Sequence, residues 1–194
     1  MAKIGLNNLK YSKLTEASDG TATYAGAKSL GKAVDCKVSI EKYDAELYAD
    51  DTLAESDNTF KKGTITLTID EDDDTVFAEI LGHTVDAESN EMVRKDTDIA
   101  PYVGVGRILT KVVNGVYKYK VEFLPKVKFS EPEQEEATKG DNIEFKTPSV
   151  EGKVVKLKDG TWSKTKTFTA KDDAIEYLNN LLKASTTQDQ TSDN

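Results

Sequence analysis

Residues 100–129 read APYVGVGRILTKVVNGVYKYKVEFLPKVKF, which is two β-prone runs joined by Asn114-Gly115. Asn-Gly between such runs is typical of a two-residue hairpin loop, because a type I′ turn needs a positive φ at both central residues. With Asn114 and Gly115 as the whole loop, Val113 lies opposite Val116, and every other cross-strand pair follows. The segment therefore predicts a long hairpin with one register.

This register assigns each side chain of the hairpin to one of two faces, because successive residues of a strand point to opposite sides. The face expected in the core carries Gly106, Ile108, Thr110 and Val112 opposite Phe123, Val121, Tyr119 and Tyr117. The second face carries Arg107, Leu109, Lys111 and Val113 opposite Glu122, Lys120, Lys118 and Val116. Its apolar residues interrupt the charges, and Lys111 opposite Lys118 is a destabilising like-charge pair. We therefore expect the second face to be an assembly surface.

The composition narrows the class of protein. The 194 residues suit one sizeable core and are marginal for two. No apolar run approaches the roughly 18 residues of a membrane span, and the first residues lead into polar sequence, so neither a membrane segment nor a secretory signal is expected. Cys36 is the only cysteine, which excludes an intrachain disulfide and fits a reducing compartment. The formal net charge of −9 disfavours a general nucleic-acid binder.

Other parts of the chain also favour strands. Residues 1–14 are too broken for a helix and are expected as an extended arm or edge strand. Residues 41–62 are acidic and polar and are expected to project as a long loop or a loosely paired excursion. Alternating apolar and polar residues predict strands in further segments: 34–40, 64–69, 143–147, two short strands within 83–95, and a second hairpin at 154–168 around Asp159-Gly160.

Two helices are expected. The first covers 75–81, with Asp72, Asp73 and Asp74 offering N-cap oxygens and Gly82 as the C′ residue. The second begins after 169–172, which resembles a capping box. Its apolar stripe consists of Ala174, Ile175, Leu178, Leu181 and Leu182. Residues 185–194 are entirely polar and are expected to be disordered.

No residue pattern favours catalysis or metal binding. The acidic run 70–74 lacks the ligand spacing and central glycine of an EF-hand loop and suits a helix N-terminus better. His83 is the only histidine, so a structural or surface role is expected, and Cys36 is interpreted as a small core residue. Gly104 and Gly106 lie within a strand, so close packing or a bend explains them better than a phosphate loop. We expect no enzyme activity, no cofactor and no metal.

Several motifs, in their order along the chain, resemble a known family. They are GLNNLKY (5–11), LYADD (47–51), the acidic turn leading into ILG (80–82), PYVG (101–104), and IEFKTP (143–148) followed by EG (151–152). Together they span almost the whole chain and resemble the major tail proteins, or tail tube proteins, of long-tailed non-contractile phages of Gram-positive bacteria. The LYADD element is similar to the most recognisable motif of that family.

The resemblance implies a structural virion protein that assembles into stacked hexameric rings. These rings form the tail tube around the tape-measure protein, join the tail terminator and distal tail proteins, and let DNA pass without binding it specifically. Such a protein is made in the host cytoplasm and ends in the virion tail. Many relatives carry a further C-terminal immunoglobulin-like domain, which is not expected here. The residues expected to contact other subunits or rings are Leu6, Leu9, Tyr11, Leu47, Tyr48, Asp50, Asp51, Leu53, Arg107, Leu109, Lys111, Lys118 and Lys120.

These observations predict a mainly β protein. We expect an antiparallel β-sandwich or barrel of the tail-tube type, with one short internal helix, a C-terminal helix, an extended N-terminal arm and a long loop, in a single domain over 1–184. The alternative function is a monomeric β-sandwich module that binds a ligand such as a carbohydrate through Trp162 and exposed tyrosines. Tyr117 and Tyr119 face the core in the expected register, which disfavours this alternative.

Overall fold

The computed structural model describes residues 2–43, 45–49, 52–57, 59–70, 73–86, 88–132 and 147–183. Within these ranges the chain is mainly β. Its elements are β1 (Ala2–Glu16), β2 (Ala22–Tyr24), β3 (Lys28–Ser29), β4 (Ala33–Lys42), β5 (Ala45–Ala49), β6 (Thr52–Asp57), β7 (Phe60–Ile69), α1 (Asp74–Leu81), β8 (Thr84–Val85), β9 (Met92–Val93), β10 (Val103–Val113), β11 (Val116–Phe129), β12 (Ser149–Val154), β13 (Lys164–Phe168) and α2 (Lys171–Leu181).

The central hairpin, β10 and β11, has the predicted register. Asn114 and Gly115 have φ values of 52° and 78°, as a type I′ turn requires. Val113 lies opposite Val116, and the pairing continues without a shift to Gly106 opposite Phe123. The local turn chemistry therefore sets the pairing of the two strands of the central hairpin.

Nine strands form one antiparallel sheet in the order β2-β1-β10-β11-β12-β7-β4, with β3 paired to β1 and β13 paired to β11. Because β10 occupies one edge of β11, β13 and β12 share the other edge, at 119–123 and 127–129. Val105 lies opposite Leu124 but Val103 lies opposite Val127, so β11 contains one extra residue. Such a bulge bends and twists a strand, and beyond it the sheet folds over to form an antiparallel sandwich.

The folded sheet has two hydrophobic cores, one on each side of the central hairpin. The larger lies inside the sandwich, where β1, β7, β10, β11, β12 and α1 contribute buried residues such as Ile65, Leu67 and Val127. The smaller lies under α2, where Ala174, Leu178 and Leu182 pack on Ile108, Val121, Phe123 and Tyr24. Both faces of the hairpin are thus covered over much of their length.

The expectation that only one face of the hairpin is a core face is wrong. Val105 and Leu109, on the second face, are 2% and 7% exposed, and Val105 packs in the larger core inside the sandwich. Conversely Tyr117, expected in the core, is 55% exposed. The smaller core under α2 includes Val121 and the partly buried Tyr119 but does not extend to Tyr117.

The N-terminal segment is an edge strand up to Asn8, as one of the two expectations had it, and becomes an interior strand from Lys10 onward. β1 pairs with β10 on one side and with β2 and β3 on the other. Its broken pattern reflects register shifts after Lys3 and after Asn7, with Asn8 at a φ of 51°. These irregularities allow Leu9 and Tyr11 to reach the larger core.

The C-terminal strands do not form the predicted hairpin. The turn at Asp159-Gly160 is present, with Gly160 at a φ of 87° and the Asp159 side chain accepting from the Thr161 N–H at 2.8 Å. However, β12 pairs with β11 and β7, and β13 pairs with β11 alone. The turn therefore passes the chain between two sections of β11 instead of joining two paired strands.

The segment 41–62 is more ordered than a loop. β4 continues to Lys42 and β7 begins at Phe60, and between them β5 and β6 form a separate two-stranded antiparallel sheet. The Tyr43 N–H donates to the Thr59 carbonyl at 2.8 Å, so backbone pairing leads from the main sheet into this excursion. It is a β-hairpin inserted between β4 and β7.

The helices agree with the predicted ranges but only one has the predicted cap. Asp73 is the N-cap of α1, its carboxylate accepts from the N–H groups of Thr75 and Val76, and Gly82 is left-handed at a φ of 86°. The N-cap of α2 is Ala170, whose methyl group cannot accept a hydrogen bond, so the predicted capping box is wrong. β8 and β9 match the two short strands expected within 83–95. The predictions for 143–146 and 185–194 lie outside the described residues.

Candidate assembly surface

The N-terminal residues expected as contacts lie largely inside the subunit. Leu9 and Tyr11 are 2% and 1% exposed. The Tyr11 hydroxyl donates a 2.7 Å hydrogen bond to Glu79 on α1, and burial together with this carboxylate raises the pKa of Tyr11 far above its usual value. Leu9 and Tyr11 therefore serve this subunit's own core. Leu6 is half-buried, and its contact with another subunit stays a prediction.

Arg107 and Leu109, expected on the assembly surface, are covered within the subunit. The Arg107 side chain is 11% exposed and donates to Glu122 Oε2 from Nε at 3.2 Å and from Nη2 at 2.7 Å. Its Nη1 also contacts Cys36 Sγ on β4. The Cys36 contact joins the central hairpin to the opposite half of the sandwich, and the charges of Arg107 and Glu122 are satisfied within the subunit.

Lys120 belongs to the same internal network, since its ammonium pairs with Glu122. Burial alone would raise the pKa of Glu122, but the hydrogen bonds from Lys120 and Arg107 outweigh burial and lower that pKa. The predicted register had already placed Arg107 opposite Glu122. An opposite-charge pair on neighbouring strands was the sequence feature that indicated an internal ion pair here.

Lys111 and Lys118 differ from these residues because they make no ion pair with any side chain that the structure describes. They lie opposite each other near the hairpin loop, and Lys3 on β1 lies opposite Lys111. Lys3, Lys111 and Lys118 thus occupy one row across three adjacent strands, which we call the lysine row. Neighbouring strands lie about 4.8 Å apart, so the row concentrates positive charge.

Apolar side chains are exposed at the same end of the sheet. Ile4, Val116 and Tyr117 are 54%, 56% and 55% exposed near the hairpin loop, and we call these three residues the tip patch. In the hairpin register Val116 lies on the same face as Lys111 and Lys118, whereas Tyr117 lies on the opposite face. Ile4 lies in the first register shift of β1, beside the positions of Lys111 and Thr110, while Val116 and Tyr117 follow the Asn-Gly turn. Grouped exposed apolar residues are typical of interaction sites, whereas single ones are normal on protein surfaces.

The excursion at 45–57, which we call the acidic hairpin, carries the other expected contacts. Leu47 and Tyr48 lie on β5 and Leu53 lies on β6, whereas Asp50 and Asp51 lie outside the described residues. The segment contains five acidic residues and no lysine or arginine. Its two strands pair with each other over Ala45–Asp57 to Ala49–Thr52. The acidic hairpin is therefore a negatively charged segment whose two strands form a sheet of their own.

β4 and β13 each have one edge without a partner among the described strands, as do β2, β3 and residues 2–8 of β1. β4 ends the sheet on one side, with Val34 56% exposed at its register shift. β13 pairs only with β11, and its exposed Lys164, Lys166 and Thr165 side chains are of the kind that protect an edge against unwanted pairing. Lys166 lies 5.0 Å from the centre of the Phe168 ring.

A groove of about 390 Å³ lies beside α1 and includes Lys13, Glu79 and His83 in its lining. The His83 side chain is 5% exposed; Nδ1 is 2.8 Å from Asp98 Oδ2, and Nε2 is 2.5 Å from Glu131 Oε1. The hydrogen bond with His83 lowers the pKa of Asp98. Both ring nitrogens are engaged, which agrees with the structural role expected for His83.

Among the described residues no group of three or more His, Cys, Asp and Glu side chains is suited to hold a metal ion.

The aromatic residues of the alternative hypothesis differ in how far they are exposed. Trp162 is half-buried and stacks on Phe60 with the ring centres 4.6 Å apart and the planes nearly parallel. One face of the indole is therefore covered, while Tyr117 lies in the tip patch.

Gly104 and Gly106 are close-packing positions, as expected: a Cβ at Gly104 would lie 2.6 Å from Tyr24 Cε1.

No protein-family model matches the chain, and no curated protein matches it. Within the described part of the chain, no helix has the length and apolar character needed to cross a membrane.

Proposed function

We propose that this chain is a self-assembling structural protein whose rings stack into a phage tail tube. In this proposal the subunits form hexameric rings, the tube surrounds a tape-measure protein, and tail terminator and distal tail proteins close its ends. DNA then passes along the bore during ejection. The ordered motifs from GLNNLKY to EG support the family, and the antiparallel sandwich supports a subunit of that kind.

The observation that carries self-assembly is the exposure of apolar residues on both faces of the hairpin end that holds the lysine row. Ile4, Val116 and Tyr117 are each more than half exposed on a well-paired sheet. Burying apolar surface of this kind is worth roughly 25 cal/mol per Å². Lys111 and Lys118 are close together and like-charged, so their repulsion falls when an anionic group approaches. The exposed apolar residues and the paired lysines therefore both favour contact between this end of the sheet and another molecule.

The open edges of β4 and β13 support contacts between identical subunits. An unpaired edge offers backbone N–H and C=O groups to a neighbouring chain. Contacts that join different surfaces of the same molecule close into rings or propagate as filaments. The net charge of −9 suits a conduit that does not hold phosphates.

Self-assembly is tested by raising the concentration of the purified full chain. Sedimentation velocity and negative-stain microscopy are expected to show rings and tubes that grow with concentration. A chain that stays monomeric at every concentration would refute the proposal. A neutral control is Ile99→Ser, which removes an isolated, 75% exposed apolar residue and is expected to assemble normally.

The tip patch and the acidic hairpin are tested by two further variants. Val116→Ser combined with Tyr117→Ser is expected to weaken assembly while the thermal stability changes little, because both side chains are exposed. Replacing 45–57 by a short Gly-Ser linker is expected to leave the circular dichroism spectrum of the sandwich intact but to stop tube growth. Loss of the folded spectrum would show that the acidic hairpin is needed for folding.

A further inference from the structure

The loop of the central hairpin combines exposure with a chemically reactive residue pair. Asn114 and Gly115 are both exposed, and the chain contains no other Asn-Gly pair. A Cβ built at Gly115 would meet nothing within 4 Å, so no neighbouring group crowds this residue. The Asn114 side chain makes no hydrogen bond with any residue that the structure describes. Its amide group is therefore free to approach the backbone of the following residue.

Asn90 provides a matched comparison within the described chain. It is exposed like Asn114 and also left-handed, with a φ of 54° beside 52° for Asn114. However, the next residue is Glu91, whose side chain stands beside the backbone nitrogen that the Asn90 amide would have to reach. Glycine has no Cβ and leaves the corresponding nitrogen of Gly115 accessible. The main difference between the two sites is thus the residue that follows the asparagine.

The two Asp-Gly turns differ from the hairpin loop in their side-chain contacts. Asp19 Oδ1 accepts from the Thr21 N–H at 2.8 Å. Asp159 Oδ1 accepts from the Thr161 N–H, also at 2.8 Å. These hydrogen bonds lower the pKa of both carboxyl groups and keep them ionised. An ionised carboxylate is a poor target for a nucleophile, whereas the neutral Asn114 amide carries a group that can leave as ammonia.

We propose that Asn114 is a site of spontaneous covalent modification, at which its amide becomes a carboxylate through a cyclic imide formed with Gly115. The backbone nitrogen of Gly115 attacks Asn114 Cγ, the new C–N bond closes a five-membered ring, and ammonia leaves with the proton that the nitrogen gives up. One water molecule then opens the ring at either of its two carbonyl carbons. One opening gives an aspartyl residue and the other gives an isoaspartyl residue. Water is the only co-reactant, and each event adds one negative charge.

Ring closure requires the hairpin loop to open locally. The five-membered ring fixes the ψ of Asn114 at a value that a type I′ turn does not have. Few buried contacts hold the loop closed, because Val116 beside it is 56% exposed and Tyr117 is 55% exposed. Segments of this kind open at a small fraction of the free energy of global unfolding. The reaction is therefore expected in the folded protein, at a rate limited by opening of the loop.

The two products differ in their effect on the hairpin. Asp-Gly suits a type I′ turn as Asn-Gly does, so the aspartyl product keeps the pair Val113–Val116 in register. The isoaspartyl product carries one additional backbone atom in a two-residue loop, because its chain continues through the side-chain carbonyl carbon. This product is therefore expected to disturb the register that the turn specifies.

The test follows the mass of one tryptic peptide from the aged, folded full chain. Cleavage after Lys111 and Lys118 releases residues 112–118, which contain Asn114 and no other asparagine or glutamine. Ageing in mildly alkaline buffer favours the reaction, since the attacking nitrogen must lose its proton. The peptide is expected to gain the mass difference between –OH and –NH2. Isoaspartyl methyltransferase, an enzyme that labels isoaspartyl residues, is expected to label part of it.

Asn90 is the internal control in the same sample. Cleavage after Lys62 and Arg94 releases residues 63–94, in which Asn90 is the only asparagine. This peptide is expected to convert at least about tenfold more slowly than residues 112–118, because Glu91 has a side chain and Gly115 has none. The comparison needs no variant, so it does not depend on whether a substituted chain folds.

Two variants test the chemistry and its consequence for the fold. Asn114→Gly leaves a Gly-Gly pair, which also suits the turn, and is expected to abolish both the mass gain and the labelling. Asn114→Asp makes the aspartyl product directly and is expected to melt like the unaltered chain. The isoaspartyl fraction of aged protein, separated by chromatography, is expected to melt at a lower temperature than Asn114→Asp. Circular dichroism confirms that each protein is folded.

Three results would overturn the proposal. Residues 112–118 that keep their mass in the folded chain, although they convert in urea, would show that the native loop never opens far enough. Equal conversion at Asn90 and Asn114 would show that Gly115 confers no selectivity. A mass gain that persists in Asn114→Gly would exclude Asn114 as its source. None of these measurements depends on whether the chain assembles, so they leave the proposed tail-tube function to its own test.

Discussion

The contact between β10 and α2 supports a quantitative prediction, because Gly106 leaves room for a helix side chain. A Cβ added at Gly106 would lie 2.2 Å from Leu178 Cδ1, well inside the contact distance of two carbon atoms. Leu178 is 0% exposed and lies in the smaller core, so its side chain has little space to move aside. Gly106→Ala should therefore push α2 away from the sheet or force Leu178 into a poorer rotamer.

The expected cost is of the size found for overpacked cores. Inserting a methyl group into a well-packed site costs about 1–3 kcal/mol, and the smaller unfolded-state entropy of alanine offsets about 0.4–1 kcal/mol of that. Leu178→Ala has the opposite defect, a cavity, and is expected to cost about 2–5 kcal/mol. At roughly 2–4 °C per kcal/mol for a domain of this size, both changes are measurable as shifts in melting temperature.

The double variant distinguishes a direct clash from two independent defects. In Gly106→Ala combined with Leu178→Ala, the new methyl group occupies space that Leu178 Cδ1 has vacated. The combined loss of unfolding free energy is expected to be smaller than the sum of the single losses by about 1 kcal/mol or more. Urea unfolding followed by circular dichroism gives all four values.

A matched glycine provides the control for this cycle. A Cβ at Gly5 on β1 would meet nothing closer than Thr110 Cβ at 3.8 Å, which is ordinary contact. Gly5→Ala is therefore expected to change stability by no more than about 0.5 kcal/mol. Strictly additive losses at Gly106 and Leu178, or a Gly106→Ala protein as stable as the Gly5→Ala protein, would refute the proposed packing of α2.

Three other substitutions test separate parts of the fold. Val121→Asp places a charge at a position with 0% exposure and is expected to unfold the subunit; an unchanged thermal melt would contradict the core assignment. Asp73→Ala removes the α1 cap and should cost about 1 kcal/mol by urea unfolding, whereas no loss would mean that the cap is not needed. Glu122 has a lowered pKa, so its contribution is present above about pH 4.3 and is lost as the pH falls through its lower folded value. Glu122→Gln should reduce stability at neutral pH and flatten this acid dependence, and an unchanged slope in acid melts would argue against the ion pair with Arg107.

Local chemistry was sufficient to predict several elements. Asn114-Gly115 sets the hairpin register because few residues adopt two consecutive positive φ values. Helix α1 begins after Asp73 and ends before Gly82. The Asp73 carboxylate accepts from free backbone N–H groups at the start of the helix, and the left-handed Gly82 donates its N–H to a backbone carbonyl at the end. The strand over 64–69 follows from its period of two, with Ile65 and Leu67 buried. In each case the interactions lie within a few residues of one another.

The candidate surface was predicted in part. The excursion at 45–57 and the unusual pair of Lys111 and Lys118 are visible in the order of residues and in the hairpin register. The burial of Leu9 and Arg107 was not, since it depends on irregular pairing of β1 and on a Cys36 contact across the sandwich.

Whether a hairpin face is covered depends on strands that are distant in sequence. β12 and β13 could pair with each other across Asp159-Gly160, but both pair with β11, which has a free edge long enough for the two. A turn specifies how neighbouring residues face each other, whereas coverage depends on the total apolar area that all strands and α2 can remove from water together. The choice of strand partners therefore depends on contacts between segments more than sixty residues apart, such as the contact of Arg107 with Cys36. The lysine row and the tip patch lie at the end of the sheet that these contacts leave uncovered.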